Sequence, residues 1–165
     1  EHRSGPHFAF RAALETDVPK FNPKRLFVSS KKKEEEGIYW PGLFIILESK
    51  HDTGKEHDFA YFRVRADRNG ADTKGPQITT TGWWTLGISF SADGVVHYYA
   101  KPGVDDLTEA DYITSQLPYG YSCKRFRSFF YNVVNGDDGK NWSTPWVVDD
   151  PKVFVQTSGR IASRR

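Results

Sequence analysis

Residues 82–99 read GWWTLGISFSADGVVHYY, and the alternation inside that stretch decides the fold. From Trp84 onward, Leu86, Ile88 and Phe90 recur at every second position. That is the period of a strand with one face on a core. Ala92-Asp93-Gly94 breaks the pattern, and Asp-Gly is a short-turn signal because it tolerates positive φ. Val95–Ala100 resumes the β pattern, so a hairpin of Trp83–Ser91 with Val95–Ala100 is predicted. Trp83 and Trp84 are neighbours and point to opposite faces. One belongs to the core; the other covers the surface or meets a ligand.

Further strands lie on either side. His7–Leu14 puts Phe8, Phe10, Ala12 and Leu14 on one face, and Arg25–Ser29 is a short candidate. Tyr39–Glu48 is apolar on both faces, as a covered central strand should be, with Pro41 and Gly42 marking an irregular start. Phe59–Arg65 alternates cleanly, and Gln77–Thr81, Phe126–Val134 and Lys152–Gln156 complete the set. Only Asp106–Ile113 reads as helix, with acids in its first turn and Leu107, Ala110 and Ile113 on one side. The expected fold is all-β, an antiparallel β-sandwich with one short helix. It forms a single domain over 1–165, with the core at 7–156 and short tails.

The bulk numbers agree with that class. A chain of 165 residues buries roughly two-thirds of its unfolded surface as one domain. Aromatics make up 15 % of it, a composition suited to pleated surfaces. The 23 Lys and Arg nearly balance 21 Asp and Glu, and no basic stripe stands out, which argues against nucleic acid as a partner. Lys31-Lys32-Lys33 is answered at once by Glu34-Glu35-Glu36, the pattern of a solvated loop. The longest apolar run, Leu43–Leu47, is strand-sized, so no membrane insertion is expected. A single cysteine, Cys123, excludes an internal disulfide and a multi-cysteine zinc site. Lys124 and Arg125 beside it would lower a thiol pKa, although a packed, idle thiol is the simpler expectation. The chain contains no methionine, even at position 1; a processed product or a fragment is expected, in an extracellular or cell-envelope setting.

The pattern W-x-L-x-I-x-F-x-x-D-G-x-V-x-x-Y, from Trp84 to Tyr99, resembles the central hairpin of the concanavalin A-like lectin/glucanase superfamily, including laminin-G-like jelly rolls. Trp146–Val155 is similar to the closing segment of such sandwiches. The resemblance implies a jelly roll of two curved antiparallel sheets, with a concave face that often binds glycans.

Catalytic patterns are weaker. Retaining glucanases of this fold resemble one another in an E-x-D-x-E strand, which sets two carboxyls ~5 Å apart on one face. Glu34-Glu35-Glu36, Asp137-Asp138 and Asp149-Asp150 are instead consecutive. Jelly-roll alginate lyases carry a Gln-Ile-His strand, from which Gln77-Ile78-Thr79 departs at the histidine; Tyr98–Gly103 is only loosely similar to their Tyr-Phe-Lys strand. Elimination chemistry would need Arg11, Arg63, Arg65, Gln77, His97 and Tyr99 to supply a carboxylate neutraliser, a base and an acid at one place. No G-x-S-x-G is present.

For metals, Asn135–Asn141 is rich in oxygen ligands, so Asp137 and Asp138 are the candidate Ca2+ ligands. The alternative is a plain Asp-Gly turn. The five histidines show no zinc spacing, and no other cofactor is expected.

A binding face is the remaining option. With Phe62 and Val64 inward, Tyr61, Arg63 and Arg65 face out. On the next strand the outward set is Val95, His97 and Tyr99, or Val96 and Tyr98 under the other parity. Flat rings stack on sugar faces while fixed donors read hydroxyls. Trp142 and Trp146 sit in a rim loop, where they stack on a partner or seal the sandwich; Asn141-Trp142-Ser143 also fits an N-glycosylation acceptor. The candidate ligand-binding residues are therefore Tyr61, Arg63, Arg65, His97, Tyr99, Trp142 and Trp146. The expected function is a non-catalytic module that binds a polysaccharide, a glycoconjugate or another extracellular surface, with a protein partner also open. The alternatives are a polysaccharide-degrading enzyme, lyase before hydrolase, and a structural subunit of an assembly.

Overall fold

One 15-residue strand, β1 (Gly5–Pro19), organises the larger of two sheets in the computed structural model, which describes residues 4–19, 34–134 and 145–155. Two strands lie end to end along one side of it: β3 (Gly42–Glu48) against its first part and β2 (Glu34–Tyr39) against its last. Trp40 and Pro41 interrupt them, yet the Ala12 N–H still donates to the Pro41 carbonyl at 3.1 Å. β9 (Arg125–Val133) takes the other side of β1, and β4 (Phe59–Arg65) and β5 (Asp72–Ile78) extend the sheet beyond β3. The smaller sheet is β6 (Trp84–Phe90), β7 (Val96–Pro102) and β8 (Tyr112–Gln116). Every pairing is antiparallel. The molecule is an all-β sandwich with one short α-helix, α1 (Lys50–Thr53), capped by Ser49 and stopped by left-handed Gly54.

That helix is not the predicted one. Over 106–113 the chain makes only a 3-10 turn, Glu109–Asp111, and then enters β8. The Asp111 carboxylate accepts from the Thr108 N–H and hydroxyl at 2.7 and 2.9 Å. This closes a turn, while the Thr114 backbone pairs with Tyr98 in β7; ladder formation outcompetes a single helical turn. The strand expected at Gln77–Thr81 lies earlier, at Asp72–Ile78. Residues 152–155 form no strand and lie exposed, pairing with none of the sheet edges among the described residues; Arg25–Ser29 and Gln156 lie outside the described residues. The Asp-Gly hairpin is present, with Gly94 at φ +92°, and a Cβ there would sit 1.7 Å from the Tyr121 carbonyl oxygen. Only glycine fits that crossing.

The core explains the alternation. Leu43, Phe62 and Val64 of the larger sheet meet Val96 and Tyr98 of the smaller, with Trp84, Leu86, Ile88 and Phe90 packed around them. Trp84 meets Phe62 edge-on at 5.3 Å, whereas Trp83 is half exposed. The buried Tyr98 hydroxyl donates to the Arg65 carbonyl at 3.0 Å, tying β7 to β4. A second inner cluster joins Ala12, Leu14 and Tyr39 to Phe90, Tyr119, Tyr121, Cys123 and Phe126. Burial there pushes the Cys123 thiol pKa up, opposed by a hydrogen bond from the Arg125 backbone N–H, so the cationic neighbours do not activate it.

Ion pairing fixes β9 to β1. The Glu15 carboxylate accepts from Arg125 Nε and Nη2, both at 2.7 Å, and also from Arg127 Nε. These hydrogen bonds, Arg125 first, hold its pKa down from 4.5 to about 2. A depressed carboxyl pKa adds stability that is complete above the unfolded value and is lost as pH falls through the folded one. Acid unfolding of the wild type should therefore steepen between pH 4.5 and about 2. Glu15→Gln should flatten that part of the stability–pH curve; equal slopes for the two proteins would show that the clamp contributes nothing.

Candidate functional site

Because Phe62 and Val64 point into the core, Tyr61, Arg63 and Arg65 point to the outer face of the larger sheet. The register sets Phe44 opposite Arg63 and Ile46 opposite Tyr61, so β3 adds apolar side chains to that same face. Ala9, Phe44, Ile46, Tyr61 and Phe59 form a cluster there. No second sheet covers it among the described residues. Cations do: the guanidinium carbons of Arg11, Arg63 and Arg65 lie 5.6, 5.7 and 5.6 Å from the centre of the single Phe44 ring. Lys74 Nζ sits 4.2 Å above the Tyr61 ring. Long cationic side chains shield an apolar patch with their stems and keep their charge toward water.

The arrangement is held from several sides. Arg11 Nη2 donates to the Trp40 carbonyl at 2.9 Å. Its stem crosses Gly42, where a Cβ would come within 2.8 Å of Arg11 Cγ. Asp72 Oδ2 lies 3.1 Å from Arg63 Nε, and Asp72 Oδ1 lies 3.1 Å from Arg65 Nε. These are close ion pairs, but neither N–H is aligned for a hydrogen bond. Arg65 also donates to the Gly70 carbonyl. The Tyr61 hydroxyl donates a hydrogen bond to Glu48 Oε1 at 3.2 Å, and burial, followed by the Glu48 charge, raises its pKa. Beside Tyr61 the face opens into a depression of about 430 Å3 lined by Lys55, His57, Asp58, Phe59, Lys74 and Gln77. From Arg65 to Phe59 the face runs ~20 Å along β4.

The other predicted residues do not join this group. Val96 and Tyr98 are buried, so His97 and Tyr99 face out from the smaller sheet, on the opposite side of the sandwich. There His97 Nδ1 and Ser115 Oγ lie 2.5 Å apart, Ser115 bonds the Tyr112 hydroxyl at 2.7 Å, and Tyr99 meets Tyr112 at 5.7 Å. The constellation of Arg63, His97 and Tyr99 required for elimination is not assembled, because sheet parity sends its members to opposite surfaces. Tyr61 is also not an open stacking ring: it is buried beneath Lys74. Trp146 is half-buried with its ring 5.0 Å from Phe8. Trp142, Asp137 and Asp138 lie outside the described residues. Among the described residues no three His, Cys, Asp or Glu side chains are placed to share a metal ion, and no helix is long and apolar enough to cross a membrane.

Arg11, Phe44, Asp72 and Lys74 complete the face but were absent from the predicted set. Alternation in β1 puts Arg11 on the side opposite Phe10 and Ala12. What it does not reveal is that β1 lies beside β3, which brings Arg11 to Phe44.

Trp146 packs on Phe8, which also contacts Tyr131 at 5.7 Å. Trp146→Ala should lower stability by ~2 kcal/mol, as truncation of a half-buried ring does, and leave any ligand binding at the outer face of the larger sheet unchanged. Lost binding at unchanged melting temperature would instead make the ring a ligand platform.

Comparison of the chain with protein-family models, with curated proteins and with solved structures found no match in any of the three. The chemistry of the outer face is what remains to suggest a function.

Proposed function

We propose that the chain is a non-catalytic, lectin-like module of jelly-roll type that binds a polysaccharide or glycoconjugate, in an extracellular or cell-envelope setting. The binding surface is the outer face of the larger sheet. The observation that carries this is the continuity of Arg11, Arg63, Arg65, Tyr61 and Lys74 with the depression beside Phe59 and Gln77. An extended chain of sugars fits such a shallow, elongated face better than a small ligand, which needs an enclosed pocket. Recognition would rest on fixed N–H donors reading hydroxyl and acidic groups rather than on open ring stacking, since Tyr61 is capped by Lys74.

A role as a structural subunit has separate support. Val147, Val153, Phe154 and Val155 are all more than half exposed in a stretch without regular secondary structure, a composition more typical of contact surfaces than of free ones. Concentration-dependent association abolished by Phe154→Asp would favour it; a monomer at all concentrations would remove it.

The direct test of the glycan reading is binding to an array of neutral, sulfated and uronate polysaccharides, with and without calcium, while unsaturated products are followed. Saturable binding without product, weakened by Arg63→Ala, is expected. Unsaturated product would replace the module with a lyase. Silence on every polysaccharide would remove the glycan reading, and calcium dependence would bring in Asp137 and Asp138.

A further inference from the structure

We propose that the three guanidiniums around Phe44 form a seat for one oxyanion group, the carboxylate or sulfate ester of an acidic polysaccharide, with Arg11 as its principal free ligand. This rests on the glycan-binding reading above and names the ligand class.

Charge balance comes first. Around the Phe44 ring, Arg11, Arg63 and Arg65 face one carboxylate, Asp72, which is shared by the latter two. Arg11 has no carboxylate within ion-pair distance among the described residues: it donates to the Trp40 carbonyl, lies over the Phe44 and Phe130 rings, and feels Asp72 only through the longer-range attraction that partly offsets the lowering of its pKa. Three like charges gathered about one ring repel one another in a partly desolvated place. The strain registers on Arg11, whose pKa is lowered by burial first and by the Arg65 charge second.

Hydrogen-bond capacity is the second point. Arg11 Nε, Arg63 Nε and Arg65 Nε are all buried and none has an aligned acceptor, whereas buried donors are normally satisfied. Asp72 already stands 3.1 Å from Arg63 Nε and Arg65 Nε, with its own Oδ1 unpartnered in hydrogen bonding, so the deficit lies at the Arg11 end, where an oxygen-bearing anion would answer the excess charge and supply the acceptor. Guanidinium suits the task, because its planar fork matches carboxylate and sulfate geometry and it is less tightly hydrated than an ammonium.

Preorganisation is the third. Gly42 leaves room for the Arg11 stem, the Phe44 ring supports all three cations, and the Tyr98 hydroxyl anchors the Arg65 backbone from the core side. The cations stand in place before a ligand arrives, so little ordering entropy is lost on binding. Lys74 and Lys55, farther along the same face at the depression, would meet later acidic groups of the polymer.

The experiment is titration of the full chain by calorimetry with heparin, polygalacturonate, dextran and inorganic sulfate, at low and moderate salt. Arg11→Gln and Arg65→Gln should each weaken binding of the acidic polymers about tenfold or more and reduce its salt dependence. Lys101→Gln, on the opposite sheet, should change neither. Circular dichroism and melting curves check that each variant folds, and Arg11→Lys provides a second variant that keeps the charge but loses the fork; partial binding is expected of it. Loss of binding when the heparin is desulfated, which leaves its carboxylates in place, identifies sulfate as the group seated; equal binding of desulfated heparin and polygalacturonate identifies carboxylate. Equal weakening by Lys101→Gln, or unchanged binding in both arginine variants, would overturn the proposal. Binding of dextran as tightly as the acidic polymers, unaffected by Arg11→Gln, would overturn it while leaving the glycan-binding module intact. Sulfate binding that depends on Arg11, with no polysaccharide bound, would keep the anion seat and remove the glycan reading.

Discussion

The contact between Phe62 and Val64 on one sheet and Val96 and Tyr98 on the other governs the rest of the molecule. Strand side chains alternate with a period of two, so burying those four residues also decides which neighbours face outward. Tyr61, Arg63 and Arg65 go to one surface of the sandwich, His97 and Tyr99 to the other. A slip of one residue in either strand would reverse every assignment. The Tyr98 hydroxyl, bonded to the Arg65 carbonyl, resists such a slip, because leaving that buried hydroxyl without a partner is costly.

The larger sheet must then solve a problem created by its own sequence. β3 is apolar on both faces, yet the smaller sheet covers only one of them. On the other, Arg11, Arg63, Arg65 and Lys74 lie over Phe44, Tyr61 and Phe59. Covering rings with cations stabilises the exposed side of the sheet and concentrates positive charge in one place. A chain whose overall charge is nearly balanced thus acquires a locally basic face. The packing solution and the proposed recognition surface are the same set of atoms.

Local periodicity made much of this legible. The Trp84–Phe90 alternation, the Asp93-Gly94 turn, the doubly apolar central strand and the outward set of β4 could all be read without a structure. Long-range pairing could not. Asp106–Ile113 carried helix-start chemistry, but β7 offered its latter half a ladder, and the Lys50–Thr53 helix is too short to show a period. Residues Lys152–Val155 have strand propensity but stay unpaired and exposed, since propensity alone does not dock a segment on a sheet edge. His97 shares a hairpin with the resemblance-bearing motif, so it looked like a companion of Arg63; only the packing of one sheet on the other separates them. Arg11 was legible as an outward residue, but its place beside Phe44 depends on β1 pairing with β3, a contact between segments distant in the chain.

The account turns on which surface of the sandwich meets ligand. Side-chain NMR of the arginine Nε–H groups and the His97 ring, during titration with a sulfated oligosaccharide, reads both surfaces in one experiment. Saturable shifts at Arg11, Arg63 and Arg65 with a silent His97 are predicted. Shifts at His97 and Tyr99 with unmoved arginines would place recognition on the smaller sheet and contradict the account.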